Sequence, residues 1–133
     1  MRANTATARL EDLTVPGIDR AVGHVRRWLR DMVGTDHPLL YEFTVCVSEV
    51  MTNALRYSDS GRGGSVRIEL AVAADELRAR VSDDGGASGA PHLCDPDGEG
   101  ERGRGLHIVN AYAHDWGVER TGPGFTVWFT LRS

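Results

Sequence analysis

The 133-residue chain contains no lysine: all 15 basic residues are arginine, against 19 Asp and Glu, for a formal charge of −4. That absence removes several chemistries at once. A P-loop needs its lysine on the nucleotide phosphates, and so does the usual protein-kinase strand. Schiff-base catalysis is excluded with them. If such a chain handles nucleotide phosphates, it must use backbone N–H groups, arginine and a metal ion. The negative net charge argues against an electrostatic grip on nucleic acid. Long apolar runs are also missing, and nothing approaches the roughly 20 residues of a membrane-spanning helix. The N-terminal MRANTATARLEDL lacks the apolar core of a signal peptide. The expectation is a cytoplasmic protein with no membrane or direct nucleic-acid contact. Cysteine is scarce, with only Cys46 and Cys94. One lies in an apolar run and the other in a Gly/Pro/Asp-rich stretch, which is not metal-site spacing. Lone thiols are the simple reading, and a disulfide or redox switch is the alternative. His92 and Cys94 alone supply too few ligands for a metal.

What is present fits a single domain spanning residues 1–133, long enough to bury a core without staples. Leu10–Val15 reads as a short strand or an extended arm. From Ile18 to Val33, apolar residues recur at helical spacing, with Arg20, Arg26, Arg27 and Arg30 opposite them and Gly34 as the stop. Asp36 reads as an N-cap with Pro38 in the first turn of a second helix running to about Tyr57. Val66, Ile68, Leu70 and Val72 alternate with Arg67, Glu69 and Ala71, and LRARVSDD alternates again. These form a hairpin around Asp75-Glu76. A long Gly/Pro/Asp-rich stretch follows, and loops of that length are usually functional or disordered. A third helix is expected from about Gly105, then strands at Trp116–Arg120 and Phe125–Leu131. This order predicts an α+β two-layer sandwich: a mixed, mainly antiparallel sheet covered on one face by about three helices.

Three stretches carry chemistry. In SEVMTNALRYS, Glu49 and Asn53 stand one helical turn apart and so share a face with Glu42 and Cys46. A carboxylate and an amide oxygen so placed can serve Mg²⁺, which prefers oxygen and shares itself with substrate phosphates. The Glu can also orient or deprotonate a nucleophile. A polar helix face bridging to a loop is the alternative. In VSDDGGASG, Asp83 at a strand end can accept a hydrogen bond from an exocyclic amine, and a following glycine lets a ligand approach the backbone; a simple Asp-Gly turn is the alternative. In GERGRGLHIVNAY, glycines open a helix whose N–H groups face an anion, with Arg102 and Arg104 flanking them. A flexible loop leading into a helix is the alternative.

Taken in order, E-x-x-x-N on a helix, D-x-G after a strand and G-x-G opening a helix resemble the GHKL ATPase superfamily. The wording VSEVMTNALRYS, VSDDG, GRGLHIVNAYAHDWGVE and FTVWFTL resembles its bacterial anti-sigma-factor serine/threonine kinases, from about Pro16 to Leu131. The resemblance implies a histidine-kinase-like ATPase fold binding ATP and Mg²⁺. Asn53 would ligate Mg²⁺, and Glu49 would be the catalytic base or orient the attacking hydroxyl. Asp83 would hold the adenine amino group, with Gly85 giving the base room. Residues 89–102 would form a lid, and Arg102, Gly103, Arg104, Gly105 and Leu106 would meet the nucleotide at the start of the third helix. The implied substrate is an anti-anti-sigma (STAS-domain) partner, with a sigma factor as competitor and pairing as a homodimer. The family's first glycine box ends in glycine where this chain has Ala87, and its lid is acidic at Asp95, Asp97, Glu99 and Glu101. These departures point to the alternative function, a non-catalytic module that sequesters a sigma factor or another regulator. A histidine-kinase catalytic domain is a third reading. It needs a phosphoacceptor histidine on a dimerisation helix, and ordinary packing or exposure accounts for His24.

Overall fold

Alternation in the strands and 3.6-residue periodicity in the helices put apolar side chains on one surface of each element, and the fold joins those surfaces. The computed structural model describes residues 8–86 and 106–133. Its elements are β1 (Arg9–Pro16), α1 (Arg20–Val33), α2 (Leu40–Tyr57), a 3₁₀ turn (Asp59–Gly61), β2 (Ser65–Ala73), β3 (Glu76–Ser82), α3 (His107–Tyr112), β4 (Asp115–Thr121) and β5 (Gly124–Arg132). The five strands lie in the order β1-β2-β3-β5-β4. All four pairings among the described residues are antiparallel. The two-layer α+β expectation holds, and the parallel component it allowed for does not occur among these residues.

One face of the sheet is apolar. Ile68, Leu70, Leu77, Val81, Val127, Phe129 and Leu131 are buried there against Val25 and Leu29 of α1 and Phe43, Val47, Val50, Met51 and Ala54 of α2. Burying each large side chain contributes about 1.5–3 kcal/mol. Phe43 meets Phe129 edge-on, with ring centroids 5.6 Å apart, which fixes the contact between α2 and the interior strand β5.

The opposite face is open, and its charges pair across and along the strands. Arg67 meets Asp12 at 2.6 Å and Glu69 at 3.6 Å, while Arg80 meets Glu69 at 3.6 Å and Glu119 at 3.0 Å. Each such exposed pair contributes at most about 1 kcal/mol, and charge on this face is what keeps it wet.

Two boundaries differ from expectation for a physical reason. The second helix starts at Leu40 with Leu39, not Asp36, at its N-cap position, and no side chain caps it there. His37 holds the approach instead. Its Nδ1 accepts from the Leu39 N–H at 3.1 Å, so the Nε2–H donates to the Ala73 carbonyl at 2.8 Å. That pairing fixes the tautomer and ties the helix start to the end of β2. The first hairpin turns at Ala74-Asp75, since Glu76 already pairs with Ala73 in the ladder.

Candidate functional site

The site is assembled around α2. Glu49 and Asn53 are half-buried on this helix and line one groove of about 520 Å³ between the three helices, together with Arg26 of α1, Tyr41 and Ser48 of α2, and Ile108 of α3. The one-turn spacing read from the sequence therefore brings both oxygen-bearing side chains to a common space.

Glu49 also acts structurally. Its Oε1 accepts from the Val109 N–H at 3.1 Å and its Oε2 from the Ile108 N–H at 3.4 Å. Both donors lie in the first turn of α3, where helical N–H groups lack intrahelical partners. Burial pushes the Glu49 carboxyl above its ordinary range, and the two N–H bonds and nearby His107 oppose the rise. The net direction is upward, toward a better proton acceptor at neutral pH.

Cys46, on the same side of α2 as Glu49, is a buried lone thiol. Helix α3 covers that side, and the Cys46 Sγ sits 3.9 Å from the Ile108 carbonyl. Burial, with Glu49 and Glu42 adding to it, pushes the thiol up to about 12.

At the end of β3, the Asp83 Oδ1 accepts from the Gly85 N–H at 2.7 Å and the Phe125 N–H at 3.2 Å. The carboxylate thus shapes the turn and anchors β5 beside it. Gly85 is buried with φ +79°, and a Cβ there would lie 2.0 Å from the Pro123 carbonyl oxygen. Packing against the β4–β5 turn therefore demands glycine at this position, whatever a ligand also requires.

Buried serines join the end of α2 to the end of β3, a link that sequence reasoning missed. Ser58 Oγ donates to the Ala54 carbonyl at 2.6 Å and accepts from the Ser60 N–H at 3.1 Å. Ser60 Oγ accepts from the Asp84 N–H at 2.9 Å, and the Asp59 N–H donates to the Gly85 carbonyl. The only hint in the sequence is small hydroxyls in a turn cluster, where side chains commonly satisfy backbone groups.

Leu106 is fully buried immediately before α3. The remaining phosphate-end residues, Arg102, Gly103, Arg104 and Gly105, lie outside the described residues, as do the 89–102 lid, Ala87 and Cys94. Among the described residues, no three His, Cys, Asp or Glu side chains converge as a metal cluster. A divalent ion here would rest on few protein oxygens. Asn53 and Glu49 suit Mg²⁺ in that respect, since it usually takes one or two protein ligands and completes its shell with water and phosphate. A larger hollow of about 650 Å³ lies on the open sheet face near Leu10, Glu69, Arg80 and Trp128, away from every residue named from the sequence as a site. No described helix is long and apolar enough to cross a membrane.

Comparison with known proteins places these features in a family. The model of the histidine kinase-like ATPase domain matches residues 15–131. A blue-light-activated histidine kinase 2 from Erythrobacter litoralis (strain HTCC2594) is 38% identical over 85 residues, covering 61% of this chain and 24% of that protein. The crystal structure of the RsbU and RsbW domains of Rv1364c from Mycobacterium tuberculosis superposes with a TM-score of 0.67 over 93% of this chain and 32% of that one, at 22% identity. The latter is a likeness of fold. The chain spans about a quarter of the curated relative and about a third of the structural one.

Proposed function

Because the chain belongs to the histidine kinase-like ATPase domain family, we propose that it binds Mg·ATP and transfers the γ-phosphoryl group to a serine or threonine of a STAS-type anti-anti-sigma partner. The observation that carries this reading is the shared groove of Glu49 and Asn53, open beside the start of α3. Asn53 would hold Mg²⁺ through its amide oxygen, and the ion would neutralise charge developing on the phosphates. Asp83, at the far end of the buried serine link, would receive the adenine amino group. Glu49 would orient the acceptor hydroxyl and take its proton, a role suited by its upward-shifted carboxyl. A phosphate placed on the partner adds close to two negative charges, enough to break an interface and free this domain for a sigma factor. The resemblance to RsbW-containing chains supports that regulatory setting.

A second reading rests on Glu49 itself. Both of its oxygens already accept backbone N–H groups of α3, which suits a nucleotide-holding module that sequesters a regulator without turnover. Calorimetric titration of ATP with Mg²⁺ on wild type and Asn53→Ala is the first test. Binding that needs both the ion and Asn53 supports the site, and a folded wild type that binds nothing sinks it. Phosphotransfer to a STAS partner by wild type, absent in Glu49→Ala, separates the kinase from the sequestering module.

A further inference from the structure

The groove beside Glu49 has one charged wall that the nucleotide reading does not use. Arg9, Arg62, Arg67, Arg78, Arg80 and Arg132 each reach a carboxylate within 4.0 Å. Exposed Arg26 on α1 meets none among the described residues, as is also true of Arg20, Arg27, Arg30, Arg56 and Arg120; Arg26 differs from those in lining the groove, tethered to α2. Its Nε donates to Ser48 Oγ at 3.0 Å, and Ser48 in turn donates to the Thr44 carbonyl at 2.8 Å. This two-bond tether holds the guanidinium over α2, next to the residue that precedes Glu49. Among the described residues lining the groove, Arg26 is the one cation and Glu49 the one anion. Tyr41 stands on the same rim with 71% of its surface exposed. Val45 and Ile108 add apolar lining.

We propose that Arg26 is a specificity residue: it selects a protein segment that carries Asp or Glu within two residues of the hydroxyl presented to Glu49. The mention of the hydroxyl rests on the phosphotransfer reading above; the docking of an acidic segment does not. The spacing follows from geometry. Arg26 and Glu49 line the same groove, and no ion pair within 4.0 Å is formed between them among the described residues, so the guanidinium's remaining N–H groups face a segment laid along it. In an extended segment, alternate side chains share a face and lie about 7 Å apart, so hydroxyl and carboxylate can engage both at once. The charges follow too. An acid brought near Glu49 would be repelled without a cation beside it, and arginine offers a carboxylate a bidentate fork. Arginine and tyrosine together are the residue types that anchor protein–protein contacts. A nucleic acid or another polyanion would need a field of many cations, whereas this groove offers one cation next to a carboxylate.

The test uses the ¹⁵N-labelled full chain and two nine-residue peptides that share a central serine and differ only in Asp or Arg two positions before it. The Asp peptide should shift the Arg26 Nε–H resonance and the amides of Thr44, Val45 and Ser48. It should bind about tenfold or more tightly than the Arg peptide, a difference of about 1.4 kcal/mol. Arg26→Gln should abolish the preference and Arg26→Glu should invert it. Equal binding of the two peptides, shifts confined to another surface, or no binding at millimolar peptide would overturn the proposal. So would heparin shifting the same resonances more strongly than the Asp peptide, since the patch would then be a polyanion site. Mg·ATP titrations on the same samples keep the two readings apart. Peptide selectivity without nucleotide binding sinks the nucleotide site alone, and nucleotide binding without selectivity sinks the Arg26 assignment alone.

Discussion

Glu49 and Val109 are 60 residues apart in the chain and meet at 3.1 Å, the Val109 N–H donating to Glu49 Oε1. The side chain proposed to take the proton is also the clamp on the first turn of α3. Glu49→Ala should therefore destabilise the domain by about 1–3 kcal/mol, the range for losing a helix cap or a charge-assisted hydrogen bond. Amide exchange at Ile108 and Val109 should accelerate about tenfold or more. Glu49→Gln retains one acceptor oxygen and should lose less on both measures. Unchanged exchange in Glu49→Ala would mean that the contact does not hold α3.

The same carboxyl gives stability a pH dependence. Its folded pKa lies above the ordinary value of 4.5, mainly through burial. The folded chain therefore binds more protons than the unfolded chain between those two values. This contribution to stability is fully present below about pH 4.5 and is lost as pH rises through the raised pKa. Urea unfolding from pH 4 to pH 7 should show that decline in wild type and a shallower one in Glu49→Gln.

Gly85→Ala should be among the most damaging single-methyl changes in the domain. It would combine a left-handed φ of +79° with a Cβ 2.0 Å from the Pro123 carbonyl oxygen, for a loss of about 2–5 kcal/mol. Gly122→Ala isolates the backbone contribution, because Gly122 has φ +65° and no atom within 4 Å of the added Cβ. It should lose only about 1–2 kcal/mol. Chemical denaturation of the two variants side by side measures the difference.

Cys46 should resist alkylation in the native domain at pH 8, since it is buried and its thiol is pushed up to about 12. The measurement is best made in a Cys94→Ser background, so that only one thiol is followed. Because the thiol lies beneath α3 at Ile108, Glu49→Ala should speed its alkylation under native conditions. Rapid labelling of wild type would mean that α3 does not shield it.

The fold was legible wherever a short-range pattern decided it. Strand alternation at Val66–Val72 and helical spacing at Leu40–Tyr57 each reflect a single element facing a single core, and both elements are found. The pairing of Glu49 with Asn53 was legible for the same reason, since one helical turn is a local distance. Contacts that depend on how elements dock were not. Asp36 looked like a cap, but His37 reaches the carbonyl of Ala73, 36 residues away, and takes over the approach to the helix. Helical spacing puts Cys46 on the Glu49 side of α2, but it does not show that α3 folds over it. Nothing within α2 announces that Glu49 is engaged from a helix some 60 residues downstream, or that Arg26 leans onto Ser48 from 22 residues upstream.

The serine link between α2 and β3 has a mechanical consequence. Ser58 and Ser60 are buried, so separating the two ends would strand their partners without water, at about 1–3 kcal/mol for each group left unpaired. On the proposed reading, Glu49 and Asn53 at one end, and Asp83 at the other, would behave as the fixed jaws of a caliper. A nucleotide bridging them would then be gauged by its length rather than accommodated by closure of the jaws. Molecules too long or too short would be rejected by the frame before any side chain had to discriminate among them.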